Sequence, residues 1–279
     1  MKSTVILLTI ALGVVLIVLT NQTMAQGAPS VPLALRSSGE GAAVAQASPQ
    51  KVIPPQYCKP CLFYGGDWNF TSSDYVIFAN GDSLGFGPPA ENIQMYSAFR
   101  VLKGKIWTVT GLFSNVVFTN TNSMDPSTPQ WSINSGMKAG SAGKVIASGR
   151  NRGTAKPTGR GVEQCGLGFC PEYTVLVKLP KPVKLKSGTY YESVEPLCTN
   201  TNDDSCTNAL FYLSDSYDMT ETKQGAFAYG PKEPKGQNFQ NGPHLGYNYV
   251  KIDEAYCTSL GYSAVACDWM SDGVIGTEK

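Results

Sequence analysis

The stretch Tyr173–Val194, YTVLVKLPKPVKLKSGTYYESV, constrains the fold more than any other part of the chain. Val175, Val177 and Leu179 alternate with Leu176 and Lys178, and Tyr191 and Ser193 alternate with Tyr190, Glu192 and Val194. A two-residue period rich in β-branched and aromatic side chains fits a pleated, half-buried ribbon and not a helix. Pro180 and Pro182 have no amide proton to give, so the chain there must run along an edge or out of the ladder. With Ser187-Gly188 supplying a turn, the stretch reads as two strands joined by a proline-interrupted connector.

The same pattern recurs on both sides of this stretch. Tyr75–Ala79, Met95–Leu102, Ile106–Phe113, Val116–Thr119, Trp131–Asn134 and Val145–Ser148 precede it, and Ala209–Leu213 and Tyr247–Ile252 follow. Strands this short, separated by Gly, Asn, Asp and Pro turns, predict an all-β, antiparallel β-sandwich or jelly roll of about ten strands. Only Asp253–Leu260 has room for a turn or two of helix. Three segments read as long loops: Asn120–Gln130, Arg150–Glu172 and Met219–Gly246. Loops of that length in a compact domain are usually functional or mobile. The basic, glycine-rich RNRGTAKPTGRG in the second suits a solvated loop or a contact with polyanionic polysaccharide.

The chain ends divide off from this region. Lys2, the apolar run Val5–Leu19 and the small residue Ala25 read as a secretory leader over residues 1–25. The run falls short of the roughly 20 residues that a spanning helix needs, so no membrane span is expected after leader cleavage. Residues 26–57, rich in Ala, Ser, Pro, Gly and Gln, read as a flexible linker. Residues 58–279 read as a single β-sandwich domain. Secreted, periplasmic or extracellular localisation follows.

All eight cysteines lie beyond the leader, in keeping with an oxidising compartment. They fall in four close couples: Cys58 with Cys61, Cys165 with Cys170, Cys198 with Cys206, and Cys257 with Cys267. Local pairing would pin loops, each bridge contributing roughly 2–3 kcal/mol on the loop-entropy model. A C-x-x-C can also be a redox site, but here it follows a linker and has no βαβ context.

Net charge is +1, yet it is unevenly spread. Residues 130–190 hold ten Lys/Arg against two Glu, and residues 191–279 hold five Lys against thirteen Asp/Glu. Such halves can face each other in one fold, or can form a bipolar surface for self-association or for an anionic cell surface. A neutral total with an export signal disfavours nucleic acid.

Trp131-Ser-Ile-Asn-Ser-Gly136, Val145-Ile-Ala-Ser-Gly149 and Val183-Lys-Leu-Lys-Ser-Gly-Thr-Tyr-Tyr191 supply W-x-I, I-A-S-G and L-x-x-G-T-Y strand motifs. In these the chain resembles exported bacterial β-sandwich proteins, over about residues 95–194. The resemblance implies a sandwich fold and a place at the cell surface. It implies no activity. The Cys165–Cys170 segment and the lack of a recognisable terminal sorting signal depart from that pattern.

Chemistry is restricted by residue type. His244, in Asn-Gly-Pro-His-Leu-Gly, is the only imidazole, so any triad or dyad would have to use it as base. No nucleophile elbow stands near it. Glu192 and Glu195 have odd spacing, which puts them on opposite faces of a strand, where they cannot flank one glycosidic bond. Glu172 with Asp215 would need the fold to bring them together. Asn200, Asn202, Asp203 and Asp204 between Cys198 and Cys206 offer oxygens to calcium, though not at EF-hand spacing; no other cofactor or metal is expected. Trp107 and Trp131 lie in strands and read as core, while Trp68 and Trp269 lie in loops, where flat rings can stack on a ligand. The expectation is an exported, non-catalytic protein acting at the cell surface or in the matrix through adhesion or glycan binding, with a polysaccharide or cell-surface component as partner. The alternative is a secreted carbohydrate-active hydrolase using paired carboxylates.

Overall fold

Twelve strands account for nearly all the regular structure in a computed structural model that describes residues 58–66, 77–79, 81–83, 91–118, 125–162, 170–197, 211–214, 237–242, 247–259 and 270–279. They are β1 (Cys61–Tyr64), β2 (Ile77–Ala79), β3 (Gly81–Ser83), β4 (Glu91–Phe118), β5 (Asp125–Ser135) and β6 (Lys144–Arg150). Then come β7 (Gly153–Val162), β8 (Cys170–Leu197), β9 (Phe211–Ser214), β10 (Asn238–Gly242), β11 (Tyr247–Ile252) and β12 (Asp272–Glu278). All ladders are antiparallel, and the main order is β1-β12-β4-β8-β5-β6. The all-β expectation holds. No helix among the described residues is long and apolar enough to cross a membrane.

The strands are not all short. The expected pair Met95–Leu102 and Ile106–Phe113 belongs to one 28-residue strand, β4, and the two halves of Tyr173–Val194 belong to another, β8. The two halves of that stretch do not pair with each other; each pairs with β4. What looked like a connector and a turn are interruptions in the register. Leu102–Lys105 of β4 stand opposite Ser187 alone, and Leu179–Pro182 of β8 stand opposite Thr110 alone. The second interruption lies where the prolines forbid a ladder bond. In the first, Gly104 takes φ +82°, which a side chain would resist.

These bulges fold the sheet onto itself. Phe99 and Trp107 are eight residues apart in one strand, about 26 Å if extended. Their rings nevertheless stack with centroids 5.8 Å apart and planes within 2°. Phe63 of β1 reaches Phe99 from across β12, with centroids 6.2 Å apart. The limbs of β4 on either side of the bulge therefore face each other across one core. That core holds Val101, Val109, Leu112 and Val116 of β4, Val175, Val177, Leu185 and Val194 of β8, Trp131 and Ile133 of β5, and Val274 of β12. Trp107 and Trp131 are buried, as their strand positions predict.

Two smaller clusters cover the outer faces. Tyr64, Phe113, Ile275 and Cys58 form one, pinned by the Cys58–Cys61 disulfide; Tyr96, Ala98, Met137, Tyr191 and Phe239 form the other. Cys257 is also disulfide-bonded, and no free cysteine occurs among the described residues. Cys165, Cys198, Cys206 and Cys267 lie outside the described residues, as does the side chain of Cys170.

The three expected loops each contain strand. β5 begins within the first, β7 occupies much of the second and β10 lies in the third. Among the described strands β7 pairs only with β8, so its prolines, glycines and cations sit on an edge, where they are tolerated and block further pairing. The expected helical turn forms as α1 (Glu254–Ser259), with Asp253 Oδ1 accepting from the Tyr256 amide at 3.0 Å as its N-cap.

β12 passes close to the backbone of β4 at Gly276. A Cβ there would lie 2.1 Å from the Thr108 carbonyl oxygen. Gly276→Ala should lower the unfolding free energy by about 1–3 kcal/mol, read as a fall in urea midpoint. An unchanged midpoint would show that β4 and β12 can move apart freely.

Candidate functional site

Strand parity decides which side chains meet. On β8, Glu192 shares a face with Tyr190 and Val194, which pack in or against the main core, whereas Glu195 shares the opposite face with Tyr191. The two glutamates are thus on opposite faces, and they enter different environments.

Glu195 supports the floor of an outward-facing cleft. Gln94 Nε2 donates to Glu195 Oε2 at 2.8 Å, and the Tyr96 hydroxyl donates to Gln94 Oε1 at 2.6 Å. Burial, with Tyr249 and Glu195 close by, holds the Tyr96 phenol well above its ordinary value, so it remains a hydrogen donor. The cleft has a volume of about 390 Å³. Gln94 and Tyr96 come from β4, Gln130, Ser132 and Asn134 from β5, and Val145 and Ser148 from β6. Tyr249 of β11 closes one side, its ring 5.9 Å from that of Tyr96.

Two local features bear on binding. Asn134 is 1% exposed; its Nδ2 donates to the Ala142 carbonyl at 3.1 Å, while its Oδ1 has no hydrogen-bond partner among the described residues. Tyr249 adopts φ +48°, a left-handed conformation unusual for an aromatic residue. The Gly140 amide bonds the carbonyls of Asn248 and Tyr249, at 3.2 and 3.3 Å. The cost of that conformation, of order 1–3 kcal/mol, is thus borne where the ring is positioned over the cleft.

Glu192 points the other way, into the main core. It stands between Ser97 of β4 and Ile133 of β5, is 1% exposed, and neither carboxyl oxygen has a hydrogen-bond partner among the described residues. Asp272, 2% exposed, approaches from β12 on the face that also carries Val274. Burial, then the nearby Asp272 charge, pushes the Glu192 carboxyl far above the usual range. Burial raises Asp272 to about 8 despite the Ser97 hydroxyl, which lowers it. At neutral pH this buried pair holds protons.

Glu172 accepts from the Thr158 hydroxyl at 2.7 Å, while Asp215 lies outside the described residues. So do Trp68, Trp269, His244 and the Cys198–Cys206 loop proposed for calcium. Among the described residues no group of three or more His, Cys, Asp or Glu is placed to hold a metal. The fold therefore brings together a site that individual residue types did not announce: Gln94, Tyr96, Asn134 and Tyr249. Only the alternation of Gln130, Ser132 and Asn134 with Trp131 and Ile133 hinted at a polar outer face.

No family model matches the chain, and comparison with curated proteins and with solved structures found no match.

Proposed function

We propose that the protein is an exported, non-catalytic β-sandwich that binds a neutral glycan in the cleft between β4, β5, β6 and β11, and so acts in adhesion at a cell surface or in the matrix. The observation that carries this reading is the lining. Amides and hydroxyls of Gln94, Gln130, Ser132, Asn134 and Ser148 are set beside the rings of Tyr96 and Tyr249. Neutral sugars present that combination of hydroxyl edges and an apolar face. The left-handed Tyr249 holds an aromatic wall in place before any ligand arrives.

Hydrolysis with paired carboxylates fits less well. Among the described residues the carboxylate bonded to the cleft lining is Glu195, and the facing pair, Glu192 and Asp272, is enclosed in the core. A glycan array probed with the purified chain, with and without calcium, tests the reading. Enrichment on a neutral glycan is expected, with Tyr249→Ala weakening it about tenfold, the equivalent of one aromatic contact of about 1.4 kcal/mol. No enrichment on any glycan, or enrichment indifferent to Tyr249→Ala and Asn134→Ala, would overturn it.

A further inference from the structure

The β4 bulge gives the molecule a crest on the side away from the core. By the ladder register, Ile106 lies opposite Lys186 and Thr108 opposite Lys184, while the intervening Trp107 and Leu185 are buried. Lys103, Lys181, Lys184 and Lys186 are all exposed. Among the described residues none of these four is ion-paired; Lys105 is, bonding Glu278 at 2.7 Å. Two large apolar side chains belong to the same stretch: Leu102, next to Lys103, is 44% exposed, and Ile106, opposite Lys186, is 43% exposed. Phe99 and Trp107 turn inward on either side of the bulge, so Leu102–Ile106 form the bend that joins the two limbs of β4.

Exposed cations beside a pair of exposed aliphatic side chains are the chemistry of a surface that docks on an anionic bilayer. The cations meet the phosphate layer and the aliphatic side chains enter the headgroup boundary. We propose that the crest formed by Leu102–Ile106 and Lys181–Lys186 docks the protein on lipid membranes carrying anionic headgroups. The charge complementarity requires a polyanion. The exposed Leu102 and Ile106 select a bilayer over a soluble anionic polymer, which would gain nothing from them. The crest is separate from the cleft, so the two can be occupied together.

The test is co-sedimentation of the full chain with vesicles of phosphatidylcholine containing increasing phosphatidylglycerol. Comparing variants in the same full chain cancels any contribution from Val5–Leu19. Partitioning should rise with the anionic fraction. It should fall more than tenfold in a Lys103→Glu, Lys184→Glu, Lys186→Glu variant, and about tenfold in Leu102→Asn with Ile106→Asn. Retention of the latter on a soluble sulfated polysaccharide should match the wild type. All substituted side chains are exposed, and circular dichroism verifies the fold. Partitioning that ignores the anionic fraction, or that survives the charge reversals, overturns the proposal. If the Asn variant partitions like the wild type, the crest is a site for polyanions in general and the bilayer assignment fails. Tyr249→Ala should leave partitioning unchanged, so failure here is distinguishable from failure of the cleft.

Discussion

Trp107→Ala should lower the unfolding free energy by about 3–5 kcal/mol, among the largest effects expected of a truncation at the described residues. The indole is 1% exposed, stacks on Phe99 at 5.8 Å and donates from Nε1 to Glu278 Oε2 at 3.0 Å. Loss of the ring removes apolar area from the core, opens a cavity between the two limbs of β4 and leaves Glu278 with Lys105 alone. Phe99→Ala should match it to within about 1 kcal/mol, because both rings fill the same crossing. A double-mutant cycle by urea unfolding should return a coupling of about 0.5–1.5 kcal/mol, the value of a stacked pair beyond its area. Additive losses would mean that the rings touch without the limbs being held by them.

The second large effect concerns pH. Asp272 ionises near pH 3.8 when exposed, but near 8 in the fold, and Glu192 is shifted in the same direction by burial and by Asp272. Below pH 4 both carboxyls carry protons whether folded or unfolded, and the pair is tolerated. Above pH 4 the unfolded chain releases its protons while the folded chain keeps them. The folded state then binds more protons, so stability falls as pH rises, by about 1.4 kcal/mol per unit for each group. From pH 5 to 8 the unfolding free energy should drop by about 4 kcal/mol through Asp272 alone. Glu278 is drawn down by Lys105 and the Trp107 indole; Asp253, though burial raises it, is drawn down on balance by Lys251 and the Tyr256 amide. Their stabilisation is lost only as pH falls below the usual carboxylate range, and both are exposed enough to count for little. Urea unfolding at pH 5, 6.5 and 8 measures the slope. Glu192→Gln should flatten it and raise stability at pH 8. Stability that climbs from pH 5 to 8 would show the pair to be solvated or matched by a cation.

Much of the fold was legible because alternation survives in the strands that line the core. Val175, Val177 and Leu179 are buried as their spacing requires, and Trp107 and Trp131 sit where a strand reading puts them. The continuity of β4 and β8 was not legible. A four-residue interruption opposite a single residue looks locally like a turn, and only the partner strand reveals that the ladder resumes. β7 was hidden because an edge strand is stabilised by β8 and can tolerate Gly, Pro and Lys, which local propensity assigns to loops. The cleft was less legible still. Gln94, Asn134 and Tyr249 come from three strands, and none is a residue type that signals binding by itself. The opposite facing of Glu192 and Glu195 was readable from parity, but the meeting of Glu192 with Asp272 depends on the layers closing, which no local pattern encodes.

The two bulges displace the β4–β8 register by equal amounts in opposite senses, so that pairing beyond them resumes as if neither were present. Length at these positions is therefore not free in the way it is for an ordinary surface loop. A residue added to Leu102–Lys105 and drawn into the ladder would shift one limb of β4 against β8 and exchange its oily and watery sides. The crossing behaves like a vernier: either scale can be moved, provided the other is moved to match.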